Sequence, residues 1–362
     1  MSPPSSSSSP LGSPPSNADA TLADDVRHAL PSYEPISHRC EPDAYGASHL
    51  IARKLGMRHA PRSFAHWKHG WPHADLHHPV QLVGHASPDD TCLVPRAEHV
   101  ELLREFGYLD AHAAGLPFVY AQSQPVERRP GSLLVMPPHT LPYTDESWDE
   151  EAYVEAIASL KSSFSSIVAC VHRDNIRKGQ WTEAFERRGI EWIPGTRARD
   201  KHGLTRMHTL FSMFEYMTTN TVGSHVLYAA YCGCKVSIYG PFSSRRKEDY
   251  QNDPLWSKHM DVLEQHLAST TEEATREKFP FLFVSPDDAE RHDEWAAREL
   301  GERFRRPPQE VAWLLGWATA DQVRGYLDRW TTPQPYLKAG SRVRDAVEQA
   351  WARLVTQSNG SS

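Results

Sequence analysis

A chain of 362 residues is long enough for two compact domains, and 39% hydrophobic with 23% charged residues is an ordinary globular balance. The net charge of -7 and pI near 6.3 lack the basic footprint that a phosphate backbone demands, which excludes a nucleic-acid partner. No apolar run approaches bilayer-spanning length, and the five scattered cysteines (Cys40, Cys92, Cys170, Cys232, Cys234) suit a reducing, cytoplasmic setting.

Residues 1–32 begin in Ser/Pro low complexity with no basic start and no apolar centre. They are expected to form a disordered tail, not a signal peptide or anchor. Residues 33–121 read as a first, smaller α/β domain. A helix over Ala44–Leu55 is stopped by Gly56, and a strand over Arg62–Trp67 runs out at His69-Gly70-Trp71-Pro72. Val80–Val83 and Thr91–Val94 read as further strands. Arg96–Phe106 is an amphipathic helix with Val100, Leu103 and Phe106 on one face and Gly107 at its C-cap. Leu116–Tyr120 is another apolar strand run, and the polar, Pro-rich stretch 122–131 reads as a linker.

Residues 132–307 alternate strand and helix. Strands Ser132–Met136, Ser166–His172, Ile190–Ile193, Tyr216–Thr219 and Lys235–Tyr239 are separated by helices over Trp148–Phe164, Asn175–Arg188, Leu204–Phe211 and Val226–Cys232. Such alternation predicts a doubly wound parallel sheet, and the continuously apolar LLVM and IVACV runs suit strands covered on both faces. Residues 308–356 read as C-terminal helices carrying Trp313, Trp317 and Trp330, and residues 357–362 as a frayed end.

The most informative stretch is Glu215–Pro241, where a strand hands over to a helix through Asn220, Thr221, Gly223, Ser224 and His225. At that edge of a parallel sheet a helix N-terminus offers free amides and a positive dipole end to an anion. Gly223 lets the backbone approach, Ser224 can cap or donate, and His225 adds a donor. Two other strand ends finish in polar residues, Pro137-Pro138-His139 and His172-Arg173-Asp174, and would line the same edge. Arg206, one helix upstream, could reach a phosphate or simply be a solvated helix charge. His69, beside Gly70, is open to act as a base or donor, with Trp71 as a flat wall for a sugar face; a packed turn is the plainer alternative. Asp75 is the rival base. His66, His69, His73, His77 and His78 do not make a metal site, because Gly70 and Pro72 break the helical spacing and no ligand-spaced Cys or carboxylate accompanies them. No GxGxxG, GxxxxGK[ST], GxSxG or HExxH motif occurs, and no second cofactor is expected.

The segments Gly115–Tyr120, LLVMPPH (133–139) and TTNTVGSHVLYAAYCGCKVSIYGP (218–241) resemble the two-domain GT-B glycosyltransferases of bacterial surface-polysaccharide synthesis, over about residues 45 to 317. The Ser224-His225 turn, in place of the Glu-rich donor turn of many retaining members, is closer to the sialyl- and Kdo-transferase-like groups, whose donors are CMP-sugars. The resemblance implies two Rossmann-like domains facing a cleft, with the helical C-terminus packed back on the first. It also implies metal-independent transfer from a nucleotide-sugar held by the second domain to a glycan or glycolipid acceptor on the first, at most peripherally at the inner face of a membrane. A sugar-nucleotide epimerase of the same shape and a non-catalytic nucleotide- or glycan-binding protein are the alternatives.

Overall fold

The computed structural model describes residues 21–140 and 148–331. Two parallel sheets organise them. The smaller holds β1 (His66–Trp67), β2 (Cys92–Val94) and β3 (Ala111–Ala113), in that order across the sheet. The larger holds β4 (Arg129–Val135), β5 (Ser166–Val171), β6 (Glu191–Pro194), β7 (Phe214–Thr219) and β8 (Lys235–Ile238). Its order is β6-β5-β4-β7-β8 with every neighbouring pair parallel. The chain therefore builds outward from β4 to β6, then returns to the other side of β4 for β7 and β8. Ligands bind at such a reversal, beyond the carboxyl ends of the strands.

Helices in the first half of the chain are α1 (Leu22–Ala29), α2 (Ala47–Lys54), α3 (Val80–Val83), α4 (Ala97–Glu105), α5 (Glu150–Ala158), α6 (Arg173–Arg177) and α7 (Thr182–Arg187). They are followed by α8 (Gly203–Met213), α9 (Ser224–Tyr231), α10 (Met260–Ala268), α11 (Glu272–Lys278), α12 (Asp293–Leu300), α13 (Pro308–Leu314) and α14 (Thr319–Thr331). Alternate residues of the larger sheet face opposite cores, as the pleat requires. Leu133 and Val135 pack with Tyr153, Ile157, Trp181 and Phe185 of the α5–α7 layer. Leu134, Val168 and Met217 pack with α1, α8 and α9 on the other face. This second core does not stop at the sheet: it continues through Phe118 and Tyr120 to Trp67 and Leu93 of the smaller sheet, and on to α12 and α13. The α/β class, two parallel sheets across a cleft and a helical C-terminal segment are thus all present.

Several local expectations are corrected. Residues 22–29 of the expected tail fold as α1, capped by Thr21 and burying Ala23 and Val26 against the larger sheet's layer. Val80–Val83 is a single helical turn, because Pro79 enters it in the right-handed region and its carbonyl accepts from Leu82 and Val83. Leu116–Tyr120 is not a strand: Pro117–Tyr120 is a 3₁₀ turn, and periodicity cannot separate a short buried turn from a buried strand. The third strand of the smaller sheet lies instead at Ala111–Ala113, which has no β-branched residue to announce it. The helix expected over Asn175–Arg188 is broken in two, with Trp181 at φ 70 between α6 and α7. β4 starts at Arg129, inside the stretch read as a linker. α13 lies on α2, and Trp317 donates its indole N–H to Ser63 at 3.0 Å, but Trp313 is 63% exposed instead of packed. The extreme N-terminal tail, residues 332–356 and the frayed end lie outside the described residues, as does the side chain of Trp330.

Candidate functional site

A cavity of about 380 Å³ opens between the two sheets at the switch point. Its floor is the carboxyl edge of the larger sheet: Pro137-Pro138-His139 after β4, His172 after β5, Gly195-Thr196 after β6 and Thr221–His225 after β7. The opposite wall is His69, Gly70 and His73 beyond β1, together with Tyr45. Ser243–Arg245 and His266–Thr270 close a third side.

The β7 turn is built as a helix start. Gly223 is the N-cap of α9 in extended backbone with no side-chain cap, and Gly223, Ser224 and His225 at this uncapped helix start line the cavity. A Cβ at Gly223 would come within 3.2 Å of the His225 ring, so glycine permits that close fold. Thr221 donates its hydroxyl to the Ser243 carbonyl at 3.2 Å, tying the turn to the segment after β8. Ser224 Oγ accepts the Trp71 N–H at 2.8 Å, and the Tyr228 hydroxyl donates to the His69 carbonyl at 2.6 Å. These two bonds join α9 directly to the loop after β1. Arg245 brings a guanidinium to the rim, donating to the His139 carbonyl at 2.7 Å and to Tyr250 Oη at 3.2 Å.

Imidazoles dominate the electrostatics. Burial, then His73 and Arg245, depress the His225 pKa to about 4, and its Nε2 lies 2.9 Å from Thr219 Oγ1. Burial likewise holds His73 at about 4 and His266 at about 3, with positive neighbours adding to the effect. His139 is pushed well down by burial and then by His172, whose ring centroid is 5.1 Å away. His172 caps α6, its Nδ1 accepting the Asp174 N–H at 3.3 Å; burial lowers its pKa while Asp174 opposes. These rings are neutral near pH 7 and offer N–H donors without charge. The sign of the linkage follows. A histidine neutral in the fold but ordinary in the unfolded chain makes the unfolded state bind more protons below about pH 6.5, the ordinary imidazole value. Stability is expected to hold above that pH and to fall steadily down to about pH 4, the folded-state value of His73 and His225. Melting temperatures from pH 7 to pH 4 check this; His73→Gln combined with His225→Gln should flatten the slope, and an equally steep slope would rule these rings out as its cause.

The structure brings together His69, Gly70, His139, His172, Thr221, Gly223, Ser224 and His225 around the cavity. It places the remaining candidates elsewhere. Asn220 is buried beneath the turn, donating to the Pro241 carbonyl and Ser243 Oγ, both at 2.8 Å. Arg173 donates to the Gly195 carbonyl at 3.2 Å and lies over the Tyr33 ring. Arg206 is neither a phosphate ligand nor a solvated charge: its buried guanidinium holds the carbonyls of Pro31 and Pro194 at 2.8 and 3.3 Å. Asp75 is 77% exposed and paired with Lys278 at 3.0 Å, outside the cavity. Trp71 is no wall for a sugar. Its ring is 4% exposed, packed on Phe279 and Trp295, with Nε1 donating to Glu299 at 3.3 Å.

The sequence reading missed Tyr45, His73, Arg245 and His266, which line the same space. Tyr45 had a detectable signal in the following glycine. Gly46 sits at φ +78, where a Cβ would lie 2.0 Å from the Lys201 carbonyl oxygen, and Tyr45 itself is held at φ 55. That turn aims the tyrosine ring beside His69, at 5.8 Å between centroids. Among the described residues, no group of three or more His, Cys, Asp or Glu side chains is arranged to hold a metal, and no helix is long and apolar enough to cross a membrane.

No protein-family model and no curated protein sequence matches this chain. Two solved structures are similar to it. The pneumococcal O-GlcNAc transferase GtfA in complex with UDP and GlcNAc matches 64% of this chain and 44% of its own, at 15% identity and a TM-score of 0.30. The GtfA/B complex matches 64% of this chain and 45% of its own, at 12% identity and a TM-score of 0.30. The chain spans less than half the length of the chains it matches.

Proposed function

We propose that this protein is a glycosyltransferase that moves a sugar from a nucleotide-sugar to a hydroxyl of a glycan or glycolipid acceptor. The observation that carries the reading is the cavity at the switch point, with the bare start of α9 and Arg245 on the side of the larger sheet and His69 facing them from the smaller one. Glycosyl transfer needs two things: stabilisation of a departing phosphate and removal of the acceptor proton. Helix amides and a guanidinium serve the first, and a neutral imidazole serves the second. The donor would lie along the β4 and β7 ends and the acceptor against His69 and Tyr45.

Among the described residues no carboxylate lines the cavity, whereas the epimerase alternative would call on carboxylates in the cleft. We further propose that the charge on the leaving group is met by these side chains and amides without a metal, that the donor is a CMP-sugar, and that the product belongs to a cytoplasmically made surface polysaccharide. Support for these finer points is the Ser224-His225 turn and the family resemblance.

Thermal shifts with CMP-, UDP-, GDP- and CDP-sugars test the reading, because a ligand bound only by the folded state raises its stability, by about 2.7 kcal/mol at a hundred times its Kd. Slow donor hydrolysis without acceptor is expected, unaffected by chelator; a protein that binds but never hydrolyses would be the non-catalytic binder. Arg245→Gln and Ser224→Ala should each weaken nucleotide affinity about ten- to a hundredfold, since a charge-assisted hydrogen bond is worth roughly 1.5–3 kcal/mol. If both variants bind like the parent, the anion site lies elsewhere.

A further inference from the structure

Behind His69, away from the cavity, runs a line of titratable groups that the reaction does not touch. His69 Nδ1 lies 3.6 Å from Glu41 Oε1. Glu41 Oε2 lies 3.1 Å from His66 Nδ1, and His66 Nε2 lies 3.5 Å from Asp90 Oδ2. Glu41 belongs to the 3₁₀ turn Glu41–Gly46 that also delivers Tyr45, so one turn supplies both the ring beside His69 and the carboxylate behind it. His69 Nδ1 is buried and makes no hydrogen bond in the structure, with the Glu41 carboxylate at 3.6 Å as the acidic group it faces.

We propose that Glu41 is the positioning residue for His69: its carboxylate takes the Nδ1 proton as a hydrogen bond, so that the Nε2 lone pair is turned to the cavity. This rests on the reading of His69 as the acceptor-side base. The hydrogen bond an imidazole makes at one nitrogen decides which nitrogen is free to react, and base-plus-orienting-acid is the general logic of activated proton transfer. Charge counting within the line agrees. Burial would raise the Glu41 pKa, but the hydrogen-bonded His66 and the neighbouring His69 outweigh it and hold the group at about 2, an anion. For His66, burial is outweighed by Asp90 and Glu41, which raise it to about 9, a cation. Two carboxylates and one imidazolium give the line itself a net negative charge, with Lys68, which feels Glu41, the cation beside it. That negative charge favours a proton arriving from an acceptor hydroxyl. The O–H bond breaks as the acceptor oxygen bonds the sugar's anomeric carbon, the bond from that carbon to the donor phosphate oxygen breaks with its electron pair leaving on the nucleotide, and the proton ends on Nε2. Other ionisable groups facing His69 are Tyr45 from the same turn, His38 from the loop before it and Tyr228 from α9, which donates to the His69 carbonyl, not to its ring.

The test is the ¹⁵N NMR spectrum of the His69 ring, assigned by comparison with His69→Gln, in the full-length protein at neutral pH, with turnover measured beside it. The parent should show the Nδ1–H tautomer. In Glu41→Met, similar in volume but without an acceptor, the ring should revert to the Nε2–H tautomer favoured in water, and kcat should fall about ten- to a hundredfold with the donor KM unchanged. Glu41→Asp should keep the parental tautomer and recover part of kcat. If Glu41→Met does not fold, Glu41→Gln replaces it, with a mixed tautomer as the supporting result. An unchanged His69 spectrum in Glu41→Met or Glu41→Gln overturns the assignment, as does a spectrum that is already Nε2–H in the parent. Failure of the transferase reading would look different: no donor is turned over by the parent, while the spectrum still decides the role of Glu41.

Discussion

His69→Ala is expected to lower turnover by about a hundred- to ten-thousandfold while leaving nucleotide affinity nearly intact, the usual scale for a positioned base. The imidazole lines the cavity from the smaller sheet, opposite the α9 start, so its removal deletes a proton acceptor and leaves the anion site on the larger sheet untouched. Its backbone carbonyl keeps its bond from Tyr228, so the loop should stay in place. Asp75→Asn is the control: that carboxylate pairs with Lys278 on the surface, and the variant should turn over like the parent. Steady-state rates and nucleotide binding measured side by side separate the outcomes. Full activity in the histidine variant would remove it from the mechanism, and lost affinity in both variants would point to a disturbed fold.

Trp71→Ala should destabilise the protein by about 3–5 kcal/mol, the usual cost of deleting a buried large aromatic ring. Three terms combine there. The ring fills the space between Phe279 and Trp295, with centroids at 5.3 and 5.5 Å. Its N–H satisfies Glu299, which also pairs with Arg96 at 2.7 Å and Arg298 at 3.6 Å and is only 15% exposed, so a mostly buried carboxylate would lose one of its three partners. The backbone amide that bonds Ser224 is kept, although the loop carrying it would lose its anchor. Denaturant unfolding checks the prediction, and Trp71→Phe should restore about half of the loss. A large fall in activity with the unfolding midpoint unchanged would instead return Trp71 to a sugar-facing role.

The larger sheet was legible in the sequence because its strands are covered on both faces. Runs such as Leu133-Leu134-Val135 and Ile167–Val171 must be apolar throughout, and each strand was read to within a few residues. The smaller sheet was legible in part: Thr91–Val94 was read to within a residue of β2 and Arg62–Trp67 ends in β1, but Ala111–Ala113 is too short and unbranched to announce itself, and Val80–Val83 obeyed its proline neighbour over its β-branched composition. The site divides the same way. His139, His172 and the 221–225 turn follow strands directly, so finding the strands found them. Arg245, His266 and Glu41 arrive from loops and helices whose position depends on tertiary packing. Arg206 misled because a long cationic side chain reads as exposed until the carbonyls it holds are known.

The core that runs unbroken from the larger sheet to the smaller one bears on how a ligand could enter. Phe118 stacks on Tyr228 at 4.0 Å with the rings 3° from parallel, joining the 3₁₀ turn beyond the smaller sheet to α9. Jaws that swing apart about a hinge would have to expose that contact and the apolar layer around it to water, at a cost that grows with every square ångström uncovered. The two halves are thus a single block, not a clamshell. Access to the cavity then depends on the segments that rim it, among the described residues Ser243–Arg245 and His266–Thr270, and not on rotation of one sheet against the other.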